Sequence, residues 1–523
     1  MKKYLYFLFI LFVSVIPLFA TDWYVNFDGS NGDGTSTSTP WNNWADAKKS
    51  GGSVQNGDTV YMWGTGGGAS FTSSDSGASG AYITYQTRPG YALILDGNDG
   101  GSLLKFYDNA AYLKFIGTTP TDEFDTSTYK FTITDDGEGI EFTYASSTAA
   151  NHITFQYILF TYIDGYSSIT TESGHAAYIT VDGNYMDSVG GDGGDHGMYF
   201  TQCDHCIITN NKVRNSTGNG INFQTRYGYT SDSTIIAGNW VWGSGQVANG
   251  YGIRLGYYQA GDENNYTNFK IYNNFVWGNA RSGLHSYNQN PGNLWYNNTS
   301  YNNSECISVD GTSTSSLEFR NNACYGNSGG LGSTGSATVS NNPTTSPPYV
   351  STTFGNANFL KLDASASAYI DVGYDTSAVV TDDIFGNSRD ANIDIGAHEY
   401  GAGSDTTAPA TTISTSDPQY VYQDSLTLQG NCTDAVGVTS VKFRLGSAPD
   451  ASNGTACTCD DGTCNGTDED WTCTVTGMSL GSNTVYAGCG DAAANWGAGD
   501  SITAYFNYKG VFGTATLSNA TIR

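Results

Sequence analysis

Six short apolar strands that each end in asparagine recur along the middle of the chain. Their interval restricts the fold more than any other feature. They are Tyr178-Ile179-Thr180-Val181-Asp182-Gly183-Asn184, Cys206-Ile207-Ile208-Thr209-Asn210-Asn211, Ile235-Ile236-Ala237-Gly238-Asn239, Phe269-Lys270-Ile271-Tyr272-Asn273-Asn274, Leu294-Trp295-Tyr296-Asn297-Asn298 and Leu317-Glu318-Phe319-Arg320-Asn321-Asn322. The closing asparagines Asn184, Asn211, Asn239, Asn274, Asn298 and Asn322 are separated by 27, 28, 35, 24 and 24 residues. A strand period in the twenties is that of a solenoid coil. No single coil can bury its apolar face alone, and stacked coils share one continuous core. A turn repeated in every coil lets asparagine amides hydrogen-bond up and down the stack, and asparagine tolerates the left-handed backbone of a tight corner. The leucine spacing of leucine-rich repeats is absent, and unequal intervals argue against a propeller. A parallel β-helix is the expected architecture.

Each coil carries a further strand, usually opened by glycine. These are Gly197-Met198-Tyr199-Phe200-Thr201, Gly220-Ile221-Asn222-Phe223-Gln224, Gly252-Ile253-Arg254-Leu255-Gly256, Gly283-Leu284-His285-Ser286-Tyr287 and Cys306-Ile307-Ser308-Val309-Asp310. Side chains alternate across a strand, which sorts them. Met198 and Phe200, Ile221 and Phe223, Ile253 and Leu255, Leu284 and Ser286, and Ile307 and Val309 are expected to face inward. Tyr199, Asn222, Arg254, His285 and Ser308 then form one outward column, and Thr201, Gln224, Gly256, Tyr287 and Asp310 the next.

Composition agrees with an all-β chain rich in turns: 66 Gly and 37 Tyr stand beside only 13% charged residues. The first twenty residues read as a secretory leader. Lys2 and Lys3 precede an apolar run that ends at Ala20, shorter than a membrane span of roughly 20 apolar residues. No second run of that length follows, so no membrane span is expected after leader cleavage. Ten cysteines suit an oxidising compartment. Six of them (Cys432, Cys457, Cys459, Cys464, Cys473 and Cys489) crowd the last hundred residues, and their pairing is open among fifteen possibilities. Cys306 and Cys324 lie on consecutive coil segments and are candidates to pair. The net charge of −28 repels nucleic acid and anionic membranes. His196 to Tyr325, by contrast, holds seven Lys/Arg against seven Asp/Glu, a neutral centre where a ligand is expected to sit.

The mature start, Trp23-Tyr24-Val25, Asp28-Gly29-Ser30, Gly34-Thr35, Pro40-Trp41 and Gly57-Asp58-Thr59-Val60-Tyr61, resembles the opening segment of secreted β-helix proteins of the pectate-lyase-like superfamily. Gly386-Asn387-Ser388-Arg389 and Asp394-Ile395-Gly396-Ala397-His398-Glu399-Tyr400 resemble the segment that closes such helices. The resemblance implies a right-handed parallel β-helix over residues 21–400 and an extracellular polysaccharide as partner. It does not imply one activity, because the superfamily includes lyases, hydrolases, epimerases and non-enzymatic adhesins. A linker at 401–409 leads to residues 410–510. There Ser425-Leu426-Thr427-Leu428, Val441-Lys442-Phe443-Arg444 and Thr484-Val485-Tyr486-Ala487 alternate as short strands. Asp405-Thr406-Thr407-Ala408-Pro409 and Asp491-Ala492-Ala493-Ala494-Asn495-Trp496-Gly497 are similar to pieces of bacterial immunoglobulin-like modules, which implies an immunoglobulin-like β-sandwich. Residues 511–523 read as a tail.

Proteins that resemble this chain bind polysaccharide in a groove along such a face. A lyase or epimerase needs a base for the proton α to a uronate carboxylate and a cation to neutralise that carboxylate. His285 or His196 is the candidate base, Arg254 the candidate neutraliser, and a tyrosine the candidate proton donor. Tyr199, Asn222, Arg226, Tyr258, Tyr287 and Asp310 are candidate sugar contacts. The plainer reading is a row of solvated outward side chains. Asp192 and Asp195, in Gly190-Gly191-Asp192-Gly193-Gly194-Asp195-His196, are either a hydrolase pair, a weak Ca2+ site or a plain turn. Cys203-Asp204-His205-Cys206 has the spacing of a metal pair, but in an exported chain a disulfide is the commoner outcome. The paired-aspartate signature of polygalacturonase-like hydrolases and the Asp-Pro-His-Asp motif of alginate epimerases are both missing. A polysaccharide lyase and a non-catalytic adhesin with a rigid binding shaft therefore both stand.

Overall fold

A computed structural model describes residues 20–507 apart from 98–100, 108, 136, 144–149, 172–175, 193, 226–229, 248–249, 258–265, 288–291, 312–315, 346–348, 402–407, 435–436, 461–463, 465, 492–494 and 498. The chain divides into two compact units, Met1–Tyr400 and Gly401–Arg523. Among the described residues no helix is long and apolar enough to cross a membrane.

The first unit is a parallel β-helix. Each full coil gives one strand to each of three sheets: in one coil these are Ala176–Asp182, Tyr185–Asp187 and His196–Phe200. The next strands stack on them in register, so that Val181, Ile208, Ile236, Ile271, Trp295 and Phe319 form one vertical file of the first sheet. All six are fully buried. Stacking begins earlier than the asparagine repeat, with Asp22–Asn26 paired to Thr59–Gly66. There Asp58 accepts from the Trp23 indole at 2.8 Å and from the Thr21 amide at 2.8 Å, which ties the opening segment to the first coil.

The corner between the first and second sheets divides two tasks between adjacent residues. Gly183, Asn210, Gly238, Asn273, Asn297, Asn321 and Asn341 take the left-handed backbone, with φ between 51° and 66°. The asparagine after each is the ladder residue. Asn184, Asn211, Asn239, Asn274, Asn298 and Asn322 each donate a backbone amide to the Oδ1 of the next ladder asparagine at 2.9–3.1 Å, and the series ends at Asn342. The expectation that one asparagine does both jobs is thus corrected. An inward side chain can follow the stack only if the chain has already turned one residue before it. A shorter ladder of Asn279, Asn303 and Asn327 lines the corner between the second and third sheets.

The outer face of the second sheet is aromatic. Tyr185, Trp240, Trp242, Phe275 and Trp277 pack with Phe359, Leu360 and Ala397 of the closing segment. That segment is held by the left-handed asparagines, whose side chains point outward. Asn297 and Asn321 donate to the carbonyls of Asp394 (2.9 Å) and Tyr374 (2.8 Å). Arg389, paired with Glu399, reaches Asn273 Oδ1 at 2.9 Å, and both ion-pair partners are buried. Asn-Asn pairs replace Gly-Asn along these coils because this outward side chain has a partner there.

The second unit is a β-sandwich. One sheet contains Ala410–Ile413, Ser425–Thr433, Asp468–Thr476 and Thr458–Cys459. The other contains Gln419–Val421, Asp500–Phe506, Gly481–Asp491, Val438–Leu445 and Thr455–Ala456. All pairings are antiparallel except that of Gln419–Val421 with Asp500–Phe506. Cys432–Cys489 joins the two sheets beside the buried Trp471. Cys457–Cys473 and Cys459–Cys464 complete the pairing, while Cys203–Cys206 and Cys306–Cys324 are disulfides of the first unit.

Candidate functional site

The third sheet holds nine strands among the described residues, and its last five are the glycine-led strands of the sequence. The expected outward column is present in register. Tyr199 pairs with Asn222, Asn222 with Arg254, Arg254 with His285 and His285 with Ser308. The inward partners Met198, Phe200, Ile221, Phe223, Ile253, Leu255, Leu284, Ile307 and Val309 are buried, which fixes the sense of the alternation.

The column is not the solvated row that outward alternation suggests. Tyr199, Asn222, His285 and Ser308 are all buried, and His285 is only 1% exposed. Tyr251, from the turn before Ile253–Tyr257, stacks on the His285 ring with centroids 4.0 Å apart. On its other side His285 shares a 2.7 Å hydrogen bond between Nδ1 and Ser308 Oγ. Burial holds the imidazole well below its ordinary pKa, and the charges of Arg254 and Arg281 push in the same direction. The ring is therefore neutral at pH 7, the form in which a histidine can accept a proton.

Arg254 is held by its neighbours on the sheet. Its Nη1 donates to Asn222 Oδ1 at 3.0 Å and to Gln224 Oε1 at 3.2 Å. The guanidinium folds over Gly256, where a Cβ would sit 2.3 Å from Arg254 Cζ; only glycine admits this pose. Burial lowers its pKa, but a guanidinium in a protein stays charged. Beneath it the buried Tyr266 donates to the Gly256 carbonyl at 2.7 Å.

A cleft of about 460 Å3 opens above this layer, lined by Asn219, Tyr251, Arg254, Arg281, His285, Tyr287 and Asp310. A smaller hollow of about 260 Å3 shares Tyr251, Arg281 and Asp310 and adds Glu305 and Ser308. Arg281 donates to the Tyr251 hydroxyl at 2.8 Å. The hydroxyls of Tyr257 and Tyr287 lie 2.8 Å apart. The cleft thus brings together two guanidinium groups, a neutral imidazole and two phenols, with Asp310 exposed at the rim.

Other sequence candidates fall elsewhere. His196 lies one strand-end away, edge-on to Tyr199 at 5.0 Å, and its Nδ1 accepts from the Asn219 amide at 3.1 Å. Asn219 links it to the cleft, its Oδ1 accepting from the Tyr251 amide at 2.9 Å. Asp195 Oδ2 accepts the amides of Gly191 (2.8 Å) and Asp192 (2.7 Å), and Asp192 Oδ1 accepts that of Gly194 (2.6 Å). These carboxylates close their own turn, and among the described residues no group of three or more His, Cys, Asp or Glu is placed to hold a metal. Cys203 and Cys206 form a disulfide rather than a metal pair. Arg226 and Tyr258 lie outside the described residues. Sequence reasoning missed Tyr251, Arg281, Asn219 and Tyr266. All four stand on turns or short strands, where alternation carries no information about direction.

No family model matches the chain and no curated protein does. Among solved structures, pectate lyase Pel9A is 19% identical with a TM-score of 0.52, over 72% of this chain and 96% of that one. A rhamnogalacturonan lyase is 17% identical with a TM-score of 0.41, over 66% and 98%. The A-module of a mannuronan C-5 epimerase from Azotobacter vinelandii is 14% identical with a TM-score of 0.31, over 62% and 99%. At this identity the likeness to Pel9A is one of fold: the first unit is a parallel β-helix of the pectate-lyase kind.

Proposed function

We propose that this chain is a secreted polysaccharide lyase acting on a uronate-containing polymer, with its site in the third-sheet cleft. One observation carries the reading: Arg254 and His285 are register partners in a cleft also lined by Arg281, Tyr251 and Tyr287, the last with its hydroxyl 2.8 Å from that of Tyr257. The guanidinium groups neutralise the sugar carboxylate and so acidify the α-proton. Neutral His285 accepts that proton. A tyrosine hydroxyl protonates the departing glycosidic oxygen, and a double bond remains in the sugar left behind. The two arginines let an anionic polymer dock on a protein whose net charge is −28. The solved pectate lyase of similar fold supports the substrate class. The leader, residues 1–20, and five disulfides support export. The second unit, with an inter-sheet disulfide beside a buried tryptophan, fits an immunoglobulin-like spacer.

The test is incubation with a panel of uronate polymers, following the ultraviolet absorbance of the unsaturated product. Absorbance that grows with enzyme and is lost in Arg254→Ala establishes the lyase. A second reading rests on the enclosure of His285 between Tyr251 and Ser308. An imidazole so covered suits a rigid binding layer, as in an adhesin. Saturable binding of the same polymers without absorbance growth selects it.

A further inference from the structure

A cavity larger than that cleft lies elsewhere in the first unit, on the outer face of the second sheet. It encloses about 600 Å3, within the usual range of small-ligand sites, roughly 300–1,000 Å3. An insertion builds one wall. Between the first-sheet strand Ala111–Ile116 and the second-sheet strand Phe131–Asp135 the chain spends residues 117–130, where later coils turn through 210–211 or 238–239 alone. Asp122 and Asp125 order this insertion by accepting the amides of Phe124 and Ser127, each at 2.9 Å. The closing segment builds the opposite wall with Phe354 and Phe385.

The interior combines aromatic faces with charge. Phe124 stands edge-on to Trp240 at 4.7 Å and to Phe354 at 5.6 Å. Lys212 is 2% exposed. Its ammonium lies 5.4 Å from the Phe124 ring, donates to the Asn210 carbonyl at 3.1 Å and pairs with Glu123. Burial pulls the Lys212 pKa down and Glu123 opposes this. The Glu123 side chain is 59% exposed, so one partner of a buried cation sits in open water. That is a polar group a ligand hydroxyl can meet. Three carboxylates (Asp122, Glu123 and Asp125) line the cavity against one ammonium, which disfavours an anionic sugar and favours one bearing only hydroxyls. Carboxylates and Lys212 hydrogen-bond such hydroxyls, and aromatic rings take the apolar face of a pyranose.

We propose that this cavity is a second glycan site, taking neutral sugar residues and separate from the uronate cleft. A chain that holds a neutral branch or neighbouring polymer here while the third sheet engages an acidic one gains avidity for mixed polysaccharide. The experiment uses the full chain and cello-, xylo- and manno-oligosaccharides as neutral probes, with oligogalacturonate as the acidic one. Binding is read by calorimetry and by tryptophan emission. At least one neutral probe binds, and Phe124→Ala weakens it by about tenfold or more, the scale of losing an aromatic anchor. Glu123→Gln and Asp125→Asn, which keep shape, weaken it too, whereas oligogalacturonate binding stays as in the parent chain. Circular dichroism of each variant shows that it is folded. The proposal is overturned if no neutral probe binds the folded parent chain, if Phe124→Ala leaves neutral binding unchanged, or if these variants alter oligogalacturonate binding instead.

Discussion

Replacing Asn274 by glycine isolates what an inward ladder asparagine contributes. Its Oδ1 accepts from the Asn239 amide (2.9 Å) and the Asn239 side chain (3.0 Å). Its Nδ2 donates to the carbonyls of Ile236 and Tyr272, both at 2.9 Å, and to Asn298 Oδ1 at 2.8 Å. Asn274 is fully buried, so water does not easily replace these bonds. Five bonds at about 1 kcal/mol each, with the Asn239 amide left unsatisfied, give a loss of roughly 4–6 kcal/mol. Asn273→Gly, one residue earlier, loses only the contacts to Arg389 and Asp382. Glycine suits its left-handed backbone, as Gly183 and Gly238 do in other coils, so the cost there is about 1–2 kcal/mol. Both are measured by denaturant unfolding of the full chain. Eight of the ten tryptophans lie before residue 401, so tryptophan emission mainly reports the β-helix. Equal costs for the two substitutions, or a cost below about 1.5 kcal/mol for Asn274→Gly, would refute the division of labour.

Three further outcomes are expected. His285→Gln abolishes turnover of a uronate polymer, and, since the ring is packed on Tyr251, it also lowers stability by about 1–3 kcal/mol. Full activity in the folded variant places the base elsewhere. Burial pushes His398 down to about 4, and its Nδ1 accepts the Leu362 amide at 3.0 Å. The unfolded chain therefore takes up the proton first as pH falls. Stability from this residue is present at pH 7 and declines below the unfolded value near 6.5. The loss is about 2 kcal/mol by pH 5, and His398→Asn removes that slope in pH-dependent unfolding. Changing Cys432 and Cys489 together to alanine opens a loop of sequence separation 57 and costs the second unit about 2–5 kcal/mol, without moving the tryptophan transition of the first.

The sequence alone determined the coil. The closing asparagines and the alternation in Met198–Phe200, Ile221–Phe223 and Ile253–Leu255 are local periodicities. A solenoid repeats local rules, so strand register and the Arg254–His285 adjacency were legible in the order of residues by itself. The early coils were not. They carry no asparagine ladder, and one corner is a long insertion. Nor could the pattern tell that Tyr178 adopts φ 54° and stacks between His152 and His205 of other coils at 4.6 and 4.9 Å. Burial of the outward column was likewise a tertiary outcome. Alternation states which side of a sheet a residue faces, but whether that side is wet depends on what crosses it, and Tyr251 arrives from a turn. The second-sheet cavity required contacts between residues 122–125, Lys212 and 354–359, stretches widely separated along the chain, which no local period encodes.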